Sequence, residues 1–373
     1  MRVAIIHEWL VTMGGSEKVL QSIVELFPMA DIYCLVADKN IVKKLGFKNQ
    51  KIYTSFIQKL PFSIKKYKSY LPLFPLAVEQ FDVSNYDLVI SSSHAVAKGV
   101  LTDCSQLHIT YCHTPIRYAW DLYHQYLKET KIKFGFKGWI VRYFLHKVRI
   151  WDFIASQRPD IYISNSNFIG ERIKKVYNRD SITIYPPIEM DKFELEIYKE
   201  NFFVTSSRMV PYKKIDLIVE AFSKMPDKKL IVIGDGPDFN KIKRIATSNV
   251  LLKGYLPHAE MVYYLKKAKG FVFAAIEDFG MLPVEAQACG TPVLALGKGG
   301  VLESVIPNVT GVLFEEQTVS SLMVGIIEFE KKYPLFDFKQ IRLHAEKFSK
   351  ERFNIELKSF IEKMLKDKVK KGW

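Results

Sequence analysis

Short apolar runs alternate with longer stretches of helical period along this chain. Val3-Ala-Ile-Ile6, Asp31-Ile-Tyr-Cys-Leu-Val36, Leu88-Val-Ile90, His108-Ile-Thr-Tyr111 and Ile161-Tyr-Ile163 read as strands in the first half. A second series begins at Phe202-Phe-Val-Thr205. It continues through Leu230-Ile-Val-Ile233, Val250-Leu-Leu252, Phe271-Val-Phe-Ala274, Val293-Leu-Ala295 and Val312-Leu-Phe314. Runs apolar on both faces suit buried parallel strands, and their alternation with helical stretches predicts an α/β fold. Tyr185 to Phe193 follows neither period, and Pro186 and Pro187 mark it as a linker. The pattern therefore predicts one domain over residues 1–185 and a second over 186–348, with a helical tail (about 349–373) packing back on the first. Two such domains facing each other would form an interdomain cleft, with ligands outside the carboxyl ends of the strands.

A length of 373 residues agrees with two domains, and 48% hydrophobic residues can fill their cores. The net charge of +14 calls for an acidic partner such as nucleotide phosphates or an anionic membrane surface. Lys and Arg outnumber Asp and Glu by 27 to 20 in residues 1–200 and again in 201–373, so neither half is a basic module. With no recognised nucleic-acid motif present, a nucleic-acid partner is not expected. Cys34, Cys104, Cys112 and Cys289 form no C-x-x-C pair, and Cys34 and Cys112 lie in strand-like runs as packing residues. Strand-like sequence from Arg2 reads as no signal peptide, and no uncharged run reaches the ~18 residues of a membrane span. A cytoplasmic protein is expected, with peripheral attachment at the inner face of the membrane compatible with its charge.

The densest chemistry lies in Glu277-Asp-Phe279-Gly280-Met281-Leu282-Pro-Val-Glu285. The apolar run ending at Ala275 predicts a strand, and Val284 to Cys289 a helix closed by Gly290 and followed by Pro292. A helix N-terminus after a glycine loop offers backbone N–H groups and a positive dipole end to a phosphate. A glutamate on each side could accept from hydroxyls. The segment can equally be an ordinary strand-to-helix junction, so its neighbours decide.

Four further constellations bear on it. Gly14-Gly15-Ser-Glu17 follows the first strand and permits close backbone approach, though a turn explains it equally well. Arg208 and Lys213 stand between a strand end and a helix start, where cations oppose the helix dipole but can grip a diphosphate. Gly234-Asp-Gly236 ends the next strand as a tight turn that would also shape a nucleotide wall. His113 lies past a strand end, with Arg117, Trp120 and Asp121 adding a charged donor, a flat face and an acceptor suited to sugar. Two stretches are basic and aromatic. Lys39 to Lys68 holds nine lysines and no acid, and Lys128 to Arg149 holds seven basic residues against one acidic. They read either as ordinary amphipathic helices or as surfaces for an anionic membrane.

Taken together, these motifs resemble those of family 4 glycosyltransferases of the GT-B fold, with two Rossmann-like domains. Glu277 to Glu285 is similar to the family's E-x₇-E motif, Arg208 and Lys213 to its phosphate-gripping pair, Gly14-Gly15 to its glycine loop and Gly234-Asp-Gly236 to its G-D-G turn. Ile6-His-Glu-Trp-Leu10, Cys112-His-Thr-Pro-Ile-Arg117, Ser164-Asn-Ser166 and Arg208-Met-Val-Pro-Tyr-Lys213 resemble the O-antigen mannosyltransferase subgroup. The resemblance implies a retaining transfer of a hexose, mannose in that subgroup, from GDP-mannose or a UDP-sugar. The acceptor would be a glycan or polyprenyl-diphosphate-linked glycan in surface polysaccharide or lipopolysaccharide synthesis, bound by the first domain.

It also implies residue roles. Glu285 would bind the ribose and Glu277 the sugar hydroxyls. Phe279, Gly280, Met281 and Leu282 would meet sugar and diphosphate through their backbones. Arg208 and Lys213 would neutralise the leaving diphosphate, and Gly15 would approach it from the other domain. His113 would face the reacting sugar and acceptor, with Gly14, Arg117, Trp120 and Asp121 on the acceptor side. Gly254 and Tyr255 would lie near the base, beside Gly234. No D-x-D sequence occurs, so a metal-independent reaction without cofactor is expected. The competing readings are a GT-B-fold sugar-nucleotide epimerase and a non-catalytic nucleotide-sugar sensor.

Overall fold

The computed structural model of the chain describes residues 1–47, 49–129 and 135–370. Lys48, residues 130–134 of the second basic stretch and the last three residues of the tail lie outside the described residues. The polypeptide divides into two compact units, Met1–Pro187 with the chain from Phe353 onward, and Ile188–Arg352.

In the first unit the strands are β1 (Val3–Leu10), β2 (Asp31–Ala37), β3 (Ile52–Thr54), β4 (Leu88–Ser93), β5 (Leu107–Cys112), β6 (Ile161–Ser164) and β7 (Ile182–Thr183). They form one parallel sheet in the order β3-β2-β1-β4-β5-β6-β7. In the second unit they are β8 (Glu200–Ser206), β9 (Leu230–Ile233), β10 (Val250–Gly254), β11 (Ala268–Phe273), β12 (Val293–Leu296) and β13 (Gly311–Phe314). These are also all parallel, in the order β10-β9-β8-β11-β12-β13. Counted from its own first strand, each sheet contains the doubly wound order 3-2-1-4-5-6. The order reverses between β1 and β4, and between β8 and β11. There the chain leaves adjacent strands in opposite directions and opens a crevice at their carboxyl ends.

The apolar runs form strands because both faces are covered. In the first unit Val19, Leu20 and Ile23 of the helix Gly15–Leu26 pack with Val3, Ile5, Ile90 and Ile109. Phe353, Leu357 and Ile361 of the C-terminal helix Lys350–Lys370 join the same cluster, and the Phe353 ring lies 5.8 Å from Tyr111. The opposite face is closed by Phe74, Ala77, Val78 and Val148. In the second unit Ile218 and Phe222 of the helix Ile215–Ser223 and Ile326 and Phe329 of Val319–Lys332 cover the sheet. Cys34, Cys112 and Cys289 are buried and Cys104 is exposed.

The differences from expectation are local. The edge strands β3 and β7, of three and two residues, were not predicted because each is too short for a continuous apolar run. The proline segment is not featureless: Ile188 pairs with Ser349, and Met190 and Phe193 are buried. Phe353 sits at the centre of the first unit's core, so Phe353→Ala is expected to cost about 3–5 kcal/mol by opening a cavity. Denaturant unfolding checks this, and a loss under about 1 kcal/mol would show that the helix does not contribute to that core.

Candidate functional site

In the second unit the switch point carries Arg208, Lys213 and the segment Glu277 to Glu285 of the predicted donor residues, while Gly234 follows β9, Gly254 ends β10 with Tyr255 just after it, and Gly15 lies in the first unit. Beyond β8, Arg208 is exposed, and Met209 turns the chain back into the protein. A short 3₁₀ turn, Pro211–Lys213, follows, and Lys214 adopts the left-handed conformation (φ 56°) before the helix at Ile215. The Arg208 segment is held by the Gly234-Asp235-Gly236 turn. Met209 N–H donates to the Asp235 carbonyl at 2.9 Å, and Gly234 N–H to the Gly254 carbonyl at 2.7 Å. At Gly234 φ is 130°, and a Cβ there would stand 1.9 Å from the Ser207 carbonyl oxygen, so only glycine fits.

Beyond β11 the chain runs through Glu277 to Gly280 (φ 85°), and the helix Met281–Ala288 begins without a side-chain cap. It starts three residues earlier than its apolar pattern predicts, because Pro283 is tolerated in a first turn, where its missing N–H costs nothing. The first N–H groups, of Met281 and Leu282, have no intrahelical acceptor and point the positive dipole end outward. Glu285, in the second turn, is only 3% exposed. Lys213 Nζ forms an ion pair with Glu277 Oε1, so two residues assigned to different parts of a donor meet in the structure. Gly299-Gly300, which sequence reasoning missed, lies behind this loop. Gly300 N–H donates to the Glu277 carbonyl at 2.9 Å, and a Cβ on Gly300 would come within 2.2 Å of the Asp278 oxygen. The glycine pair after β12 was the available signal. Tyr255 is exposed beyond the edge strand β10.

In the first unit the same position holds a buried polar cluster. His7 and Glu8 are consecutive on β1, so their side chains point to opposite faces of the sheet. Glu8 is fully buried. Its Oε1 accepts from the backbone N–H groups of His94 (3.1 Å), Ala95 (2.7 Å) and Ala97 (3.0 Å) and from the Ser93 hydroxyl (3.1 Å). Its Oε2 accepts from Val96 N–H at 2.9 Å. Burial alone would raise this carboxyl, but His94 and the N–H groups of Ala97, Val96 and Ala95 outweigh it and hold the group below its ordinary value of 4.5. On the other face His7 contacts Ser92, whose hydroxyl also meets His113 Nε2 at 2.9 Å. Burial, followed by the nearby His94 and His7, pushes His113 well below the ordinary imidazole range.

Gly14 precedes the helix at Gly15, and a Cβ on it would stand 3.0 Å from Glu17 Oε2. The remaining predicted acceptor residues lead into the unit's own scaffold. The Trp120 indole donates to Asp152 at 2.7 Å, and Asp152 also pairs with buried Lys98 and accepts from the Tyr177 hydroxyl. Asp121 pairs with Arg172, which donates to the Thr114 hydroxyl at 3.0 Å. Arg117 is half-buried, and its carbonyl accepts from Leu122 N–H. His7, Glu8, Glu17, Ser92 and Arg172 carried no assigned role from the sequence, although Ile6 to Leu10 was marked as a segment. No group of side chains suited to a metal ion occurs among the described residues.

Glu8→Gln replaces a pure acceptor by an amide facing N–H donors, and is expected to destabilise the protein by about 3 kcal/mol. The folded-state value lies below the unfolded one, so the contribution is complete above pH 4.5 and is lost as pH falls further through the folded value. Urea unfolding of both proteins across that range measures it. An identical pH dependence in the variant would show that Glu8 does not carry it.

Residues 187–346 match the family described as Glycosyl transferases group 1. A GDP-mannose-dependent monoacylated alpha-(1-6)-phosphatidylinositol monomannoside mannosyltransferase of Corynebacterium glutamicum is 34% identical over 138 residues, covering 33% of this chain and 36% of that protein. The GDP-Man:Man(3)GlcNAc(2)-PP-Dol alpha-1,2-mannosyltransferase of Homo sapiens is 26% identical over 283 residues, covering 64% of this chain and 58% of that one. The chain thus spans about a third to three fifths of the length of these curated relatives. Among solved structures, Anabaena HepE in complex with UDP and glucose superposes with a TM-score of 0.70 at 17% identity, covering 96% of this chain and 99% of that one. Sucrose-phosphate synthase from Thermosynechococcus elongatus gives 0.75 at 17% identity, covering 98% and 100%. The second unit thus carries a glycosyl transferases group 1 domain, and the two parallel sheets in the order described give the chain the GT-B fold.

Proposed function

We propose that this protein transfers a hexose, with mannose the leading candidate, from a nucleotide sugar to a glycan or lipid-linked glycan with retention of anomeric configuration. The observation that carries the reading is the convergence at the switch point of the second unit. Exposed Arg208, the Lys213–Glu277 pair and the N-terminus of Met281–Ala288 all sit at the carboxyl ends of β8 and β11. Cations and N–H groups suit a diphosphate, and a carboxylate beside them suits sugar hydroxyls. The two curated relatives described above use GDP-mannose by name, and this supports mannose and guanine over other donors.

The chemistry follows from charge. As the glycosyl–phosphate bond breaks, negative charge grows on the leaving diphosphate, and Arg208, Lys213 and the helix N-terminus stabilise it. Protein groups do this work, and no metal clamp is called for. Lys213 must be shared between Glu277 and the diphosphate when donor binds, so Glu277 both orients the sugar and holds the lysine ready. The departing phosphate oxygen takes the proton of the acceptor hydroxyl, which attacks from the same face. His113 meets the reacting sugar and acceptor, and Glu285 binds the ribose.

Arg208→Ala and Lys213→Ala are each expected to lower kcat/KM by ~10²-fold, about 2.7 kcal/mol of transition-state stabilisation. Glu285→Ala should weaken GDP binding itself in calorimetry, whereas Glu277→Gln should keep GDP and lose turnover. A thermal-shift screen of GDP, UDP and ADP with their sugars identifies the base, since a ligand of the native state raises its stability. An inverted product anomer, or a trapped glycosyl–enzyme adduct, overturns the mechanism. Release of free sugar with no acceptor product turns the reading toward the epimerase class.

A peripheral membrane role is part of the same proposal. The helix Phe136–Ala155 exposes Phe136 and Trp139, with Trp139 stacked on Tyr143 and Lys147 over the Tyr143 ring. Phe62, Lys65 and Lys66 expose a second basic and apolar patch. None of the described helices is long and apolar enough to cross a membrane. Binding to anionic vesicles is expected to weaken between low and physiological salt and to fall with Trp139→Ala. Failure of the wild type to bind such vesicles at low salt removes this part of the proposal.

A further inference from the structure

A chain of buried polar groups crosses the first unit and ends at His113. Glu17 Oε1 stands 3.7 Å from His7 Nε2, within ion-pair range. His7 Nδ1 lies 3.1 Å from Ser92 Oγ, and Ser92 Oγ lies 2.9 Å from His113 Nε2. Four elements supply it: the first turn of the helix Gly15–Leu26, β1, β4 and the loop just past β5. The register of β1 on β4 sets His7 opposite Ser92, so the central link follows from sheet pairing. His7, Glu17, Ser92 and His113 are all buried, although His113, at 8% exposure, is not sealed from solvent. The His94 ring lies 6.3 Å from His7 and 6.2 Å from His113, and Glu8 faces His94 from β1.

We infer that Glu17, His7 and Ser92 determine which nitrogen of His113 carries its proton. A hydroxyl has a single hydrogen, so Ser92 donates to one imidazole and accepts from the other. An ionised carboxylate only accepts, so the Glu17 carboxylate 3.7 Å away draws the proton of a neutral His7 to Nε2. His7 Nδ1 is then a lone pair, and the Ser92 hydroxyl donates to it. Ser92 Oγ is left to accept, which places the His113 proton on Nε2 and leaves Nδ1 basic. A second proton on His7 reverses the chain. His7 Nδ1 then donates to Ser92, Ser92 donates to His113 Nε2, and His113 releases that proton to solvent and takes one on Nδ1. His113 accepts through Nδ1 in the first state and donates through it in the second. Glu17, His7 and Ser92 are positioning residues in this scheme, and Gly14 leaves the space that the Glu17 carboxylate occupies.

The consequence for turnover rests on the proposed role of His113, but the tautomer does not. The test is ¹⁵N NMR of the full chain labelled at histidine, near neutral pH, with the His113 signals assigned by their loss in His113→Asn. The wild type is expected to carry the His113 proton on Nε2. Ser92→Ala removes one hydroxyl and should move His113 toward a mixture of tautomers, and Glu17→Ala should shift it toward the Nδ1-protonated form. Donor-nucleotide binding, placed in the second unit, should be unchanged in both and serves as the check on folding. In transfer assays both variants should lose roughly tenfold or more in kcat at constant donor KM, a part of the ~10²–10⁴-fold that a positioned acid or base contributes. A wild-type His113 protonated on Nδ1, or a tautomer unmoved by Ser92→Ala in a folded protein, overturns the inference. Tautomer shifts as expected in a protein that transfers no sugar would sustain the relay and refute the proposed function instead.

Discussion

The carboxylate of Glu8 is the constraint on which the first unit's polar cluster depends. A buried charge is tolerated only where its hydrogen bonds replace water, and Glu8 meets that condition with four backbone N–H groups and one hydroxyl. Those donors come from consecutive residues, so the carboxylate dictates the path of the chain from Ser93 to Ala97. The path in turn sets the ring of His94 and carries Lys98 inward, where its ammonium pairs with Asp152 at 2.5 Å. Asp152 then holds Trp120 and Tyr177. One side chain of β1 thereby orders the end of β4, and through Lys98 the far face of the unit.

The second unit solves the same geometric problem with backbone in place of a charge. Its switch point is shaped by close approaches that only glycine permits: Gly234 against Ser207, and Gly300 against Asp278. The partly exposed Lys213–Glu277 pair and exposed Arg208 stand on segments built this way. The two units share a strand order yet differ in what fills the crevice. The first holds a largely buried cluster joined by internal hydrogen bonds, and the second presents Arg208 and helix N–H groups at its surface.

The sheet-forming runs were legible because a strand buried on both faces must be apolar at nearly every position, as in Leu230–Ile233. The E-x₇-E segment was legible as a strand-to-helix junction because an apolar run, a glycine and a helical stretch follow one another there. The N-terminus of the Met281 helix was placed three residues late, since Pro283 and Gly280 hide a first turn from any apolar period. Residues such as Ser92 and Glu17 were not legible as partners, being single polar positions inside ordinary strand and helix patterns.

Local sequence by itself determined the element types, the parallel α/β class, the glycine turns and the character of the Glu277–Glu285 loop. Each of these depends on the chemistry of residues within a few positions of one another. Tertiary structure decided the pairings: His7 with Ser92 through the register of β1 on β4, Ser92 with His113, Lys213 with Glu277, and Glu8 with the loop 94–97. Those partners lie between 21 and 89 positions apart in the sequence. No propensity or period spans such a separation; only the order in which strands lie side by side brings the groups together.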